Sequence, residues 1–205
     1  MSLYEGFPAA MDTLVAGDVI NAWKPISYDW RLDLDTLLAS GKQSGEKISY
    51  LSATSTPYIY QELKNLADTA QNGKVSIVAH SNGGLLAKAF LADLEARHDP
   101  LLEKIDTVVL VASPQLGTPK TLLPMLHGSQ NALSVFNIGL EEKTWREAAR
   151  YTPSVYNLIP SSAYFAQSTP VISFDQSLDS LADSVRLRDV SGATGDGLSS
   201  VFDYR

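Results

Sequence analysis

The chain contains no cysteine in its 205 residues. That absence excludes disulfide staples, thiolate nucleophiles and cysteine-ligated metal, and it leaves the redox compartment open. Basic residues are also scarce, with 16 Lys and Arg against 23 Asp and Glu, for a net charge of −7. Nucleic acid and anionic membrane surfaces both demand a basic face, so neither is an expected partner, and an electrically neutral substrate fits better. No apolar run reaches the ~20 residues of a membrane span. The N-terminus lacks the basic flank and apolar core of a signal peptide. A soluble segment without stable membrane insertion is the expectation. Repeats, low-complexity tracts and charge blocks are missing too, and the length suits a single domain, residues 1–205, with a substantial core. Histidine occurs three times, at His80, His98 and His127.

Against these absences stands one informative stretch, Lys74 to Leu91, KVSIVAHSNGGLLAKAFL. Lys74 to Ala79 has the β-branched content and brevity of a buried strand, stopped upstream by Asn72-Gly73. From Leu85 to Arg97 the residues Leu85, Leu86, Ala89, Phe90 and Leu94 recur at helical spacing. Ala79 to Gly83 must therefore be a tight strand-to-helix turn in which Ser81 takes a strained conformation, with small residues two before and two after it. This is the nucleophile-elbow pattern, with Ala in place of the first Gly. The competing reading makes Ser81 a helix N-cap, with Gly83 and Gly84 allowing close helix–sheet packing. The order of strand, turn and helix favours the nucleophile. His80 points away on such a turn and is expected to pack.

Upstream, Ala9 to Gly17 predicts a short helix and Asn21 to Tyr28 a strand, with Pro25 suiting a strand start or an edge. Tyr28-Asp29-Trp30-Arg31 follows, read as a buried ion pair or hydrogen-bond hub beside Trp30, with substrate contact as the alternative. Leu32 to Leu38 suggests a short helix, Gly41 to Gly45 a turn or loop, and Lys47 to Ala53 a strand or extended segment. Pro57 opens a helix with Ile59, Leu63, Leu66, Ala67 and Ala70 on one face. Downstream, Ile105 to Ala112, IDTVVLVA, is a near-continuous apolar strand of the kind buried in parallel sheets. Strand, helix and strand in this order imply a right-handed crossover and a parallel pair. The loop Ser113 to Pro119 is then expected to border the same crevice as Ser81.

Lys120 to Gln167 differs in character, with several prolines, large apolar groups and a helix from about Leu140 to Arg150. Residues 115–168 read as a cap insertion with an apolar underside, additional core being the competing reading. His127 reads as structural. Pro170 to Phe174 and Val185 to Val190 look like further strands. The second runs into a glycine-rich segment in which Asp196 lies between Gly195 and Gly197. The hydrolase order of Ser, acid, His places its acid there, although a glycine-rich turn with a locally bonded Asp has the same letters.

These pieces together resemble the α/β-hydrolase lipases and esterases, particularly the group related to lecithin:cholesterol acyltransferase and the glycosylphosphatidylinositol inositol deacylases. The matching segments are YDWR at Tyr28 to Arg31, VAHSNGG at Val78 to Gly84, VASPQLGTP at Val111 to Pro119, PSVYNLIPSSAYF at Pro153 to Phe165, and GDG at Gly195 to Gly197. The resemblance implies Ser81 as nucleophile, Asp196 as acid and the Asn82 backbone N–H as one oxyanion donor. It also implies a His-Gly loop on an early strand as the second donor and a histidine after the acid. Neither has a counterpart here, and Leu198-Ser199-Ser200 replaces the usual Thr-Val-Pro after the GDG.

The expected architecture is an α/β fold of hydrolase type, a mostly parallel sheet flanked by helices with a helical cap insertion, incomplete at both ends. The expected function is cleavage of carboxylic esters of lipid or other apolar acyl substrates through an acyl-enzyme on Ser81, without metal or organic cofactor. On this reading the chain is part of a longer enzyme, and a histidine beyond Arg205 completes the triad. A non-catalytic module binding a hydrophobic ligand or protein partner is the alternative, and a homo-oligomer in which a second copy supplies the missing pieces is a third arrangement.

Overall fold

The computed structural model describes residues 6–122, 125 and 142–167. Asp196, His127 and the strand segments at Pro170 to Phe174 and Val185 to Val190 lie outside the described residues. The chain divides into two units, Met1–Asp29 with Leu34–Ser113, and Trp30–Asp33 with Pro114–Arg205.

In the first unit, Pro57 sits just ahead of helix α3 (Tyr58–Thr69), whose Ile59, Leu63 and Ala67 fall on one buried stripe. Two other helices share that core, α2 (Leu34–Ala39) and α4 (Asn82–Ala96). Leu37 of α2 and Leu94 of α4 are both 0% exposed. Burial of each such side chain contributes about 1.5–3 kcal/mol. The far end of α4 is anchored by charge: Arg97 binds Asp93 at 2.7 Å and Asp99 at 3.5 Å, and its guanidinium lies 5.7 Å from the Tyr60 ring centre.

The four strands among the described residues form two pairs. Strand β3 (Val75–His80) runs parallel to β4 (Ile105–Val111), as the crossover rule requires, in a register from Ile77↔Val108 to His80↔Val111. Strands β1 (Ser40–Ser44) and β2 (Lys47–Ala53) form an antiparallel hairpin. Gly41 to Gly45, expected as a loop, is thus mostly strand, and the turn shrinks to Gly45-Glu46. The weakly apolar segment gains its ladder from β2, a partner that local pattern does not display. The described sheets are accordingly one parallel pair and one antiparallel pair, where a mostly parallel sheet was expected. Strand β4 also departs from expectation in burial. Val109 is 45% and Val78 50% exposed.

Asn21 to Tyr28, expected as a strand, joins no sheet among the described residues. Side chains fix it instead. Lys24 forms an ion pair with Glu62, a buried carboxylate of α3. The Trp23 indole N–H donates to Asp12 at 2.8 Å and packs edge-on to Phe7 with centroids 6.4 Å apart. Both partners lie on α1 (Gly6–Ala16), a helix without a single buried residue. Among the described residues, no helix is long and apolar enough to cross a membrane.

The second unit contains α5 (Glu142–Arg150), α6 (Pro153–Asn157) and α7 (Ser162–Gln167) around Leu122, Met125, Ala149, Val155 and Ile159. Two of the resembling motifs are stitched together here. Thr118 N–H donates to the Leu158 carbonyl at 2.8 Å, and Ser161 N–H to the Leu116 carbonyl at 2.8 Å. Gly117 lies between them with φ 87°, and a β-carbon there would overlap the Ile159 backbone. Gly117→Ala is expected to destabilise this unit by about 2–4 kcal/mol, from left-handed strain plus overpacking. Urea unfolding followed by circular dichroism measures it.

Candidate active site

Ser81 links the end of β3 to the start of α4 with φ 53° and ψ −126°. A side-chain-bearing residue pays on the order of 1–3 kcal/mol for such a conformation, and it persists only where the surroundings over-determine it. They do. The Ser81 N–H donates to the Val111 carbonyl at 3.0 Å, extending the β3–β4 ladder by one bond, and the Ser81 carbonyl accepts the Gly84 N–H at 3.0 Å, closing the first turn of α4.

The N-cap reading does not hold, since the Ser81 side chain makes no capping hydrogen bond. The residue is exposed. Its position at the helix start leaves the N–H groups of Asn82 and Gly83 without intrahelical acceptors, as every helix start must. No acidic residue lies in the first turn of α4 to neutralise that end of the helix. The Asn82 side-chain carbonyl is buried with no hydrogen-bond partner among the described residues.

Small residues around the turn have definite neighbours. Ala79, buried, pairs with Leu110 in the strand register. A β-carbon on Gly84 would overlap the Ser113 side chain, so glycine is what lets α4 lie this close to the end of β4. A β-carbon on Gly83 would stand 3.6 Å from the Tyr28 hydroxyl. Tyr28 is thus brought over the first turn of α4 from 53 positions upstream of Ser81. The Ser113 approach agrees with the expectation that Ser113 to Pro119 borders the Ser81 crevice and that Gly84 permits close helix–sheet packing, whereas the approach of Tyr28 was missed; its YDWR motif was the available signal.

The rest of YDWR is less buried than expected: Trp30 is 49% exposed and Arg31 is exposed, and the Arg31 carbonyl accepts the Ser154 N–H at 3.3 Å within the second unit. Burial pushes the Tyr50 phenol above its ordinary pKa, and the neighbouring Asp29 backbone N–H works in the opposite direction.

His80, the last residue of β3, is exposed and not packed as expected, because the strand alternation buries Ala79 and turns His80 outward. His98 lies past the opposite end of the 15-residue α4, about 22 Å along the axis at 1.5 Å per residue. Among the described residues, no group of three or more His, Asp or Glu side chains is arranged to hold a metal.

Strand, strained turn and helix on a parallel pair define an α/β protein with its candidate site at the carboxyl end of a strand. The chain belongs to the lecithin:cholesterol acyltransferase family, whose family model matches residues 4–185. It therefore falls in a group characterised by acyl-transferase and lipase-like activity on lipids. Neither the curated proteins nor the solved structures gave a match.

Two substitutions test this geometry. Gly84→Ala is expected to cost about 1–3 kcal/mol by overpacking, and Ser113→Gly in the same chain should recover most of it, as read by thermal unfolding. Ser81→Gly, which relaxes the positive φ, should be about 1 kcal/mol more stable than Ser81→Ala. Equal stabilities would mean that the turn carries no strain.

Proposed function

We propose that the protein is a serine acyl hydrolase or acyltransferase of α/β-hydrolase type, acting on carboxylic esters of lipids through Ser81. The observation that carries this reading is a serine in a strained backbone conformation, exposed, uncapped and backed by free helix N–H groups, in a chain of this family. Ser81 Oγ attacks the ester carbonyl while a histidine takes its proton. The negative charge that forms on the carbonyl oxygen is held by the Asn82 N–H. Collapse expels the alcohol, which receives the proton from the histidine and leaves the acyl group on Ser81. Water or an acceptor alcohol, deprotonated by the same histidine, then releases the acyl group.

Asp196 is proposed to orient that histidine, and residues 115–168 to form the cap over the acyl chain. A histidine beyond Arg205 is the one the family resemblance implies; His80 and His98 are not placed for the role, and His127 lies outside the described residues. A net charge of −7 favours neutral lipid over anionic headgroups. The second reading, a non-catalytic module that binds an apolar ligand, is favoured by one observation: Ser81 Oγ has no base beside it among the described residues.

The two readings differ in turnover of a short-chain nitrophenyl ester. The 205-residue chain should show negligible hydrolysis. The full encoded protein should turn over, with Ser81→Ala lowering kcat on the order of 10⁴-fold or more. Hydrolysis by the short chain that Ser81→Ala abolishes would place the base inside it. Activity of the full protein that survives Ser81→Ala would remove Ser81 as the nucleophile.

A further inference from the structure

The two backbone hydrogen bonds that hold Ser81 share a neighbour. Ser113 Oγ donates to the Val111 carbonyl oxygen at 3.5 Å, and the same oxygen accepts the Ser81 N–H at 3.0 Å. The Ser113 side chain also fills the space in front of Gly84, whose N–H donates to the Ser81 carbonyl at 3.0 Å. We propose that Ser113 is a positioning residue of the acyl-transfer reaction, its hydroxyl side chain holding both backbone partners of Ser81 so that the strained turn keeps its shape during catalysis. The proposal rests on the Ser81 reading and adds a residue to which neither the elbow motif nor the family assignment gives a role.

Three observations support it. First, Ala112 has a positive φ of 47°, so the chain turns directly after β4 and sets the Ser113 hydroxyl beside the carbonyl of Val111. Two residues in unfavourable backbone conformations, Ser81 and Ala112, thus meet at one carbonyl, and such strain persists only where the surroundings over-determine it. Second, Gly84 is packed by two residues from the end of β4 and just beyond it. A β-carbon there would overlap Ser113 and stand 3.4 Å from Leu110 Cδ2. In so close a packing, the start of α4 cannot shift without displacing one of them. Third, the Ser113 bond to Val111 is long for an O–H donor, so its contribution to stability is small and its weight lies in geometry. A shift of Val111 or Gly84 moves the Ser81 backbone, and with it Oγ and the adjoining Asn82 N–H. Misplacing a reacting group by about 1 Å costs on the order of 100-fold in rate. No bond to Ser113 is made or broken, and its proton stays on the hydroxyl.

The test compares Ser113→Ala and Ser113→Thr in the full encoded protein, with kcat for a nitrophenyl ester normalised to the serines titrated by a fluorophosphonate. Ser113→Ala removes the hydroxyl and keeps the β-carbon. It is expected to lower kcat on the order of 10-fold while KM stays within error. Ser113→Thr, which restores the hydroxyl, should return kcat to within about 3-fold of the parent. A side chain that only supported the fold would lower the thermal midpoint or the titrated fraction and leave kcat per titrated serine unchanged; that result would overturn the proposal, as would a loss that Ser113→Thr does not reverse. A second readout needs no turnover. The gap in thermal midpoint between Ser81→Gly and Ser81→Ala should fall by about half when Ser113→Ala is added, because a turn released from its anchors no longer forces residue 81 to positive φ. An unchanged gap would overturn the Ser113 assignment and leave the nucleophile standing. Activity that persists in Ser81→Ala, or a parent protein that the fluorophosphonate leaves unlabelled, would overturn the Ser81 reading and the proposal with it.

Discussion

Two backbone hydrogen bonds hold Ser81 in a conformation that serine otherwise avoids, and the arrangement of the first unit follows from keeping both. One reaches sideways to Val111 on the neighbouring strand, the other forward to Gly84 in the helix. The first demands that β3 and β4 stay in parallel register up to their carboxyl ends. The register shift falls between Val75 and Ile77, at the opposite end of the strand, where it does not disturb the turn. The second demands that α4 begin at once, which brings its first turn against the end of β4. Directly after Val111, Ala112 also adopts a positive φ of 47°, so the partner strand veers away as soon as it has supplied its carbonyl.

The small residues of the turn are a consequence of that crowding. A helix that must start immediately after a strand has no loop with which to choose its distance from the sheet. The contacts are therefore set by backbone, and side chains have to fit what remains. Ser113 takes the space next to Gly84 and Tyr28 the space next to Gly83, so neighbouring glycines serve different neighbours. Ala79 in place of glycine two residues before Ser81 fits the same logic, since its methyl points into the core and not into the turn.

How much of this was legible in the sequence depended on whether the controlling partner was local. The α3 and α4 helices and the β3–β4 pair were readable because each carries its own period or its own apolar run, and the strained turn was readable because both its flanks were. Of the hairpin, Lys47–Ala53 was readable as extended, but Ser40–Ser44 was not, since Gly41 and Gly45 look like breakers until β2 supplies a ladder. Asn21 to Tyr28 failed in the other direction: its residues have strand character, but Pro25 and the lack of a described neighbour leave it fastened by Lys24 and Trp23. At the site, Ser81 and its small neighbours were visible as a motif. The approach of Tyr28 was not, because nothing local to residue 28 encodes a helix that begins at residue 82.

The bare N-terminus of α4 has one more consequence. With no acidic side chain in its first turn, the helix presents aligned peptide dipoles, equivalent to about half a positive charge, next to Ser81. A field built from peptide groups has no proton to lose. On the proposed chemistry, the machinery that receives the developing charge would behave as a permanent fixture across the working pH range, and the pH profile of the reaction would be set by the histidine and its acid alone.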